Sequence, residues 1–126
     1  LAFCDEEERN AIVEGWKAIE TEASNMGLLL LSDDYMLQKI RREGYALQVR
    51  NVYNADPGKT SSIAVPLFDG NDRLIGALGL IYFVSAMSSN EAADKYLAPL
   101  QETAREIRGS LIDLAGGALG DAEAAE

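Results

Sequence analysis

Few side chains in this sequence could do chemistry, and those absent decide as much as those present. There is no histidine anywhere in the 126 residues, so Ser-His-Asp and Cys-His catalysis and histidine-rich zinc or iron sites are excluded. Cys4 and Tyr82 are the only reactive candidates for an enzyme, and neither has a histidine partner to activate it. The chain therefore reads as a non-enzyme with no cofactor and no metal, and the chemistry left to it is binding. Gln48 and Arg50 stand two apart in the run YALQVRNVY, and period two puts them on one face of a strand. A planar guanidinium there could take a carboxylate bidentately, although a polar pair in a strand can equally face water. The GKT of the segment NADPGKT, 54–60, lacks the leading glycine of a nucleotide-phosphate loop and reads as an ordinary loop.

The elements that must position these side chains are organised around residues 61–85, SSIAVPLFDGNDRLIGALGLIYFVS. Two runs rich in Ile, Val, Leu, Tyr and Phe flank Asp69-Gly70-Asn71-Asp72, a cluster that favours a tight reversal, so the stretch predicts a β-hairpin. With those four residues as the turn, Phe68 faces Arg73, Pro66 faces Ile75, Ala64 faces Ala77, Ser62 faces Gly79 and Thr60 faces Ile81. The other face carries Ile63, Val65 and Leu67 with Leu74, Leu78 and Leu80, a wall of aliphatics suited to a packed helix. The first face is hollow, with Ser62, Ala64, Ala77 and Gly79 at its centre. Empty volume inside a protein costs roughly 20 to 25 cal/mol per Å³. The hollow is therefore either plugged by large side chains from elsewhere or kept for a ligand.

Composition sets the outer bounds. With 48% hydrophobic and 25% charged residues the chain can form one domain with its own core. No apolar run approaches the roughly 20 residues that cross a bilayer, and no leader pattern opens the chain. A net charge of -10 argues against gripping a phosphate backbone, which needs clustered Lys and Arg. A single cysteine makes no internal disulfide and fits a reducing, cytoplasmic setting. The first residue is Leu, which suggests a piece of something longer.

Along the chain, Leu1-Ala2-Phe3-Cys4 reads as the end of an element whose beginning is missing. Asp5 is placed as an N-cap, with Glu8 at capping-box spacing, for a helix to about Ala23 whose inner stripe is Ile12, Val13, Trp16, Ile19 and Ala23. The apolar run 28–31 has no clear assignment. Ser32 is placed as the cap of a second helix over 33–43, closed by Gly44 and facing inward with Met36, Ile40 and Tyr35. Tyr45 to Tyr53 predicts a strand beside the hairpin. Ser88 and Glu91 have capping-box spacing. Pro99 predicts a break into a short helix near 89–96 and a longer one from about Ala98, with Leu100, Ala104, Ile107, Leu111 and Leu114 covering the aliphatic face. Residues 116–126, small and acidic, read as a disordered tail after a domain at 1–115.

Taken in order, LAFC before an acidic helix start, RREGYA at 41–46, SIAVPLFD at 62–69, IGALGLIYF at 75–83, SAM at 85–87 and EAA at 91–93 resemble the C-terminal effector-binding domain of IclR-type bacterial transcriptional regulators. Within that family the likeness is to the branch controlling catabolism of 3-phenylpropionate-type aromatic acids. The resemblance implies an α/β (α+β), GAF-like sensor, an antiparallel sheet flanked by helices with its early strands missing, that binds a small organic acid. It also implies a homodimer or tetramer, and DNA contact only through a winged helix-turn-helix domain absent from this chain. The family's effector contacts fall on Gln48, Ser62, Gly79 and Ile81. The small-acid binders carry an acidic residue, a cysteine and two serines at those positions, so the site here is less polar and suits a larger, aromatic or longer carboxylate. The expected ligand-binding set is Gln48, Arg50, Ser62, Ala64, Ala77, Gly79 and Ile81, with Arg50 or backbone amides meeting the carboxylate. The alternative is an oligomerisation module with no ligand of its own, its hollow plugged by Trp16, Phe68 or Met87.

Overall fold

Local chemistry fixes where the elements start and stop. A computed structural model describes residues 1–19, 34–48 and 58–124 of the chain. Helix α1, Glu6–Ile19, begins where the Asp5 carboxylate accepts the Glu8 backbone N–H at 2.8 Å, which satisfies an amide with no partner inside the helix. Helix α2, Asp34–Glu43, ends at Gly44. The Gly44 N–H reaches back to the Ile40 carbonyl at 2.8 Å with φ at +80°, a left-handed stop that costs glycine little. Strand β1 is Ala46–Leu47, β2 is Thr60–Phe68 and β3 is Leu74–Phe83. The last helix, α3, runs Ser89–Ala124 from a complete capping box. There the Ser88 N–H donates to Glu91 Oε2 at 2.7 Å and the Glu91 N–H to Ser88 Oγ at 3.2 Å.

The three strands form one antiparallel sheet in the order β1-β2-β3, which with its helices is the α+β architecture anticipated from the pattern. The hairpin is present, but its register differs by two residues from the simple four-residue turn. Thr60 pairs with Phe83, Ser62 with Ile81, Ala64 with Gly79, Pro66 with Ala77 and Phe68 with Leu74. Two local features each add one residue to the β3 side. The Asp69 N–H bonds the Arg73 carbonyl at 2.9 Å, leaving a three-residue loop that ends in Asp72 at φ +60°, the arrangement that closes such loops. A bulge between the Leu67 and Phe68 pairs then leaves Ile75 unpaired. Since two is the side-chain period, the shift preserves both faces of the strands beyond the bulge. Leu74 changes sides, joining the small residues instead of the aliphatic wall, and the unpaired Ile75 leaves the hollow face to lie beside Leu111 and Ile112 of α3.

The core lies on the aliphatic face. Ile63 is fully buried, Ser61, Val65 and Tyr82 nearly so, and Ala92 in the first full turn of α3 is buried against them. The Tyr82 hydroxyl contacts Ser89 Oγ at 3.1 Å at the start of the same helix. Far along it, Arg108 pairs with Asp72 of the hairpin loop at 2.6 Å. Pro99 does not split this helix, which is one element of 36 residues. The proline is exposed, so the carbonyl left without a donor can be taken by water. The helix also continues through 116–124, where composition suggests disorder. At about 1.5 Å per residue it is ~54 Å long, far longer than the strands; Ile112 still reaches Gly70 of the hairpin turn, and Leu114 is exposed.

The stripe of α1 is not a core stripe. Ile12, Val13 and Trp16 are half-buried and Ile19 is exposed, because α3 already occupies the aliphatic wall. The coil at 1–4 takes its place: Ala2 and Cys4 are buried, and the Arg41 guanidinium of α2 donates to the Ala2 carbonyl. The readings for 20–33 and 49–57, including Ser32, Arg50 and most of the strand anticipated from Tyr45 to Tyr53, lie outside the described residues.

Candidate ligand-binding face

The face opposite α3 is built by pairing across three strands. Ala46 of β1 pairs with Ala64 and Leu47 with Ile63, and the Gln48 N–H then donates to the Ser62 carbonyl at 2.9 Å. Combined with the hairpin register, this lays the small residues out in rows. Gln48, Ser62 and Ile81 form one row, Ala46, Ala64 and Gly79 the next, and Pro66 and Ala77 the third. Six of the seven residues expected to bind ligand thus share one face; the seventh, Arg50, is outside the described residues. Gln48, Ser62 and Ala64 are half-buried, Ala77 and Gly79 are exposed, and Ile81 is 76% exposed.

Among the described residues neither Trp16 nor Met87 lines the recess on this face, and Phe68 sits at its turn end, edge-on to Phe3 at 5.9 Å between ring centroids. The face is half covered. Towards the hairpin turn, α2 and residues 1–3 border it and leave an open recess of about 280 Å³. Its floor is Ala46, Ala64, Pro66 and Ala77, and its roof is Met36, Leu37 and Ile40 with Leu1, Ala2 and Phe3. At the other end Ser62, Gly79, Ile81 and Phe83 do not line it. Its floor at Ala64 and Ala77 is part of the hollow expected from the pattern, whereas its roof was not anticipated. Its signal in the sequence was the Met36–Ile40 spacing, which marks an inward helix face without saying what volume it leaves.

The chemistry this face offers is selective by shape and hydrogen bonding. The paired positions of the three described strands carry no ionisable side chain on this side. Its polar groups at the paired positions are the Gln48 amide and the Ser62 and Thr60 hydroxyls, all able to donate to a carboxylate. Among the described residues the two perturbed carboxyls stand elsewhere. Asp69 is held below its ordinary pKa by backbone N–H groups of Arg73 and Asn71, and Glu91 by the N–H and hydroxyl of Ser88. They are the turn and the cap. No nucleophile with an adjacent base occurs among the described residues of the face.

The chain as a whole matches a known type of domain. The family model for the bacterial transcriptional regulator IclR C-terminal domain matches residues 1–109. The chain belongs to this family. It is a domain of transcriptional regulators and not an enzyme family. The chain is similar to the C-terminal domain of the E. coli transcriptional regulator KdgR, at 28% identity and a TM-score of 0.61 over 88% of this chain and 64% of that one. It is also similar to the transcriptional regulator YaiJ, at 25% identity and 0.62 over 87% and 59%. A third likeness, to an IclR-type regulator from Alicyclobacillus acidocaldarius at 19% identity and 0.59 over 86% and 41%, shows the fold alone. The IclR C-terminal domain described here thus spans 41% to 64% of the length of these solved relatives. Among the described residues no helix is long and apolar enough to cross a membrane.

Proposed function

We propose that this domain is the ligand sensor of a bacterial IclR-type transcriptional regulator, and that its effector is a small aromatic carboxylic acid of the 3-phenylpropionate type. The acid lies on the face of Gln48, Ser62, Ala64, Ala77, Gly79 and Ile81, with its carboxylate met by Gln48, Ser62 and Arg50. The observation that carries this reading is the alignment of undersized residues in successive rows across three strands, ending in an apolar recess. Binding shifts the arrangement of sensor domains in a cytoplasmic homodimer or tetramer, and through it the DNA-binding domains. That requires an acid with different affinity for the two arrangements.

A second reading has an observation of its own. Ile81 and Phe83 of β3 and Val84 just past its end are 76%, 63% and 45% exposed; β3 borders the sheet among the described residues, and such a strip suits contact between copies of the domain without any ligand. Calorimetric titration of the protein with 3-phenylpropionate and with pyruvate separates the two. The sensor reading expects saturable binding of the aromatic acid, tighter than that of pyruvate, and weakening on Arg50→Ala. No binding of either acid at millimolar concentration would leave the oligomerisation reading.

A further inference from the structure

We infer that the recess beneath α2 is an aryl-binding subsite that sets the size of ligand the domain accepts. The inference rests on the sensor reading for its biological use, but not for its geometry. The lining is aliphatic almost throughout, with Ala64 and Ala77 as floor and Met36 and Ile40 as roof. An apolar cavity of about 150 Å³ stays dry and takes up benzene. The 280 Å³ here therefore has room for a phenyl ring and a short linker. Methionine in the roof adapts to irregular aromatic shapes and makes favourable sulfur–ring contacts.

Position adds to volume. Ala64 is two residues from Ser62 on the same strand and face, a step of about 6.8 Å at the rise of an antiparallel strand. A ligand whose carboxylate is held in the Gln48–Ser62 row places its ring in the recess only if a short chain joins the two. A two- or three-carbon oxo acid ends before reaching it. The recess thus divides aryl-alkanoic acids from the smallest acids, and the dividing side chains are Ala64 and Ala77, where added bulk would fill the floor.

The test uses the whole protein, two-dimensional NMR titration, and three probes: neutral benzyl alcohol, 3-phenylpropionate and pyruvate. The variants are Ala64→Leu and Ala77→Leu; the second replaces an exposed residue and keeps the experiment available if the first fails to fold. Benzyl alcohol is expected to bind the unmodified protein with shifts at Met36, Ile40 and Ala77. Leucine at 77 is expected to weaken benzyl alcohol and 3-phenylpropionate at least tenfold while changing pyruvate less than twofold. Benzyl alcohol binding that is retained with no acid binding would uphold the subsite and sink the carboxylate sensor. Acids binding equally to all variants would uphold the sensor and sink the subsite. Absence of benzyl alcohol binding, or equal losses for pyruvate and 3-phenylpropionate, would overturn the subsite as well.

Discussion

The two faces of the hairpin are made from alternate residues of the same two strands, yet they have opposite fates. One carries Ile63 at 0% and Val65 at 2% exposure beneath α3, and the other carries Ile81 at 76%. Composition alone does not separate them, since isoleucine appears on both. What separates them is partner size: Ile63 pairs with Leu80 and Val65 with Leu78, whereas Ala64 pairs with Gly79 and Pro66 with Ala77. Large residues in register give a surface that a helix can seal, and small ones leave volume that no described element fills completely. Stability belongs to the first face, and recognition is proposed for the second.

Substitutions can break or sharpen this contrast. The largest effect is expected on the sealed side. Ile63→Ala should cost about 3 to 4 kcal/mol in urea unfolding through lost burial and a cavity, whereas Ile81→Ala should stay within about 0.5 kcal/mol; comparable losses would erase the distinction between the faces. Next comes the anchor of α3, where Ser88→Ala should cost about 1 kcal/mol by thermal unfolding, because the Glu91 amide loses its acceptor. Smaller still, Asp72→Asn removes the largely exposed pair with Arg108 while keeping a residue that tolerates positive φ. Its cost should be below about 1 kcal/mol and should shrink further in salt. The finest effect is in acid. Asp69 and Glu91 are lowered in the folded state, so their contribution is present above the unfolded pKa values and is lost as pH falls through the folded ones. Asp69→Asn, which keeps an acceptor but not the charge, should flatten the stability loss from about pH 5 to about pH 3. A steeper loss would mean the sign is wrong.

Much of the fold was legible because local rules and pattern agreed. Asp5, the Ser88–Glu91 box and Gly44 each act through their own backbone neighbours, so their roles could be read without the rest of the chain. The division of the hairpin into two faces was legible for a related reason: period two survives any even shift of register. The register itself was not, since Asp69-Gly70-Asn71-Asp72 is compatible with both a four- and a three-residue loop, and the bulge at Ile75 has no mark in residue type. Pro99 misled because its cost depends on whether water reaches the orphaned carbonyl, which is a matter of tertiary exposure. Trp16 misled for the complementary reason that a helical stripe records readiness to be buried and not what is available to bury it. The recess beneath α2 is a joint property of residues 1–3, 36–40 and 64–77, and although the small residues of the floor and the inward helix face each show in the pattern, the volume they share does not.

The measurement closest to the central claim is a map of backbone amide shifts on titration with 3-phenylpropionate. Perturbations concentrated at Gln48, Ser62, Ala64, Ala77, Gly79 and Ile81, with Ile63, Val65, Tyr82 and Ala92 nearly still, are the result the account predicts. Perturbations centred on the α3 side of the sheet, or none at saturating acid, would contradict it.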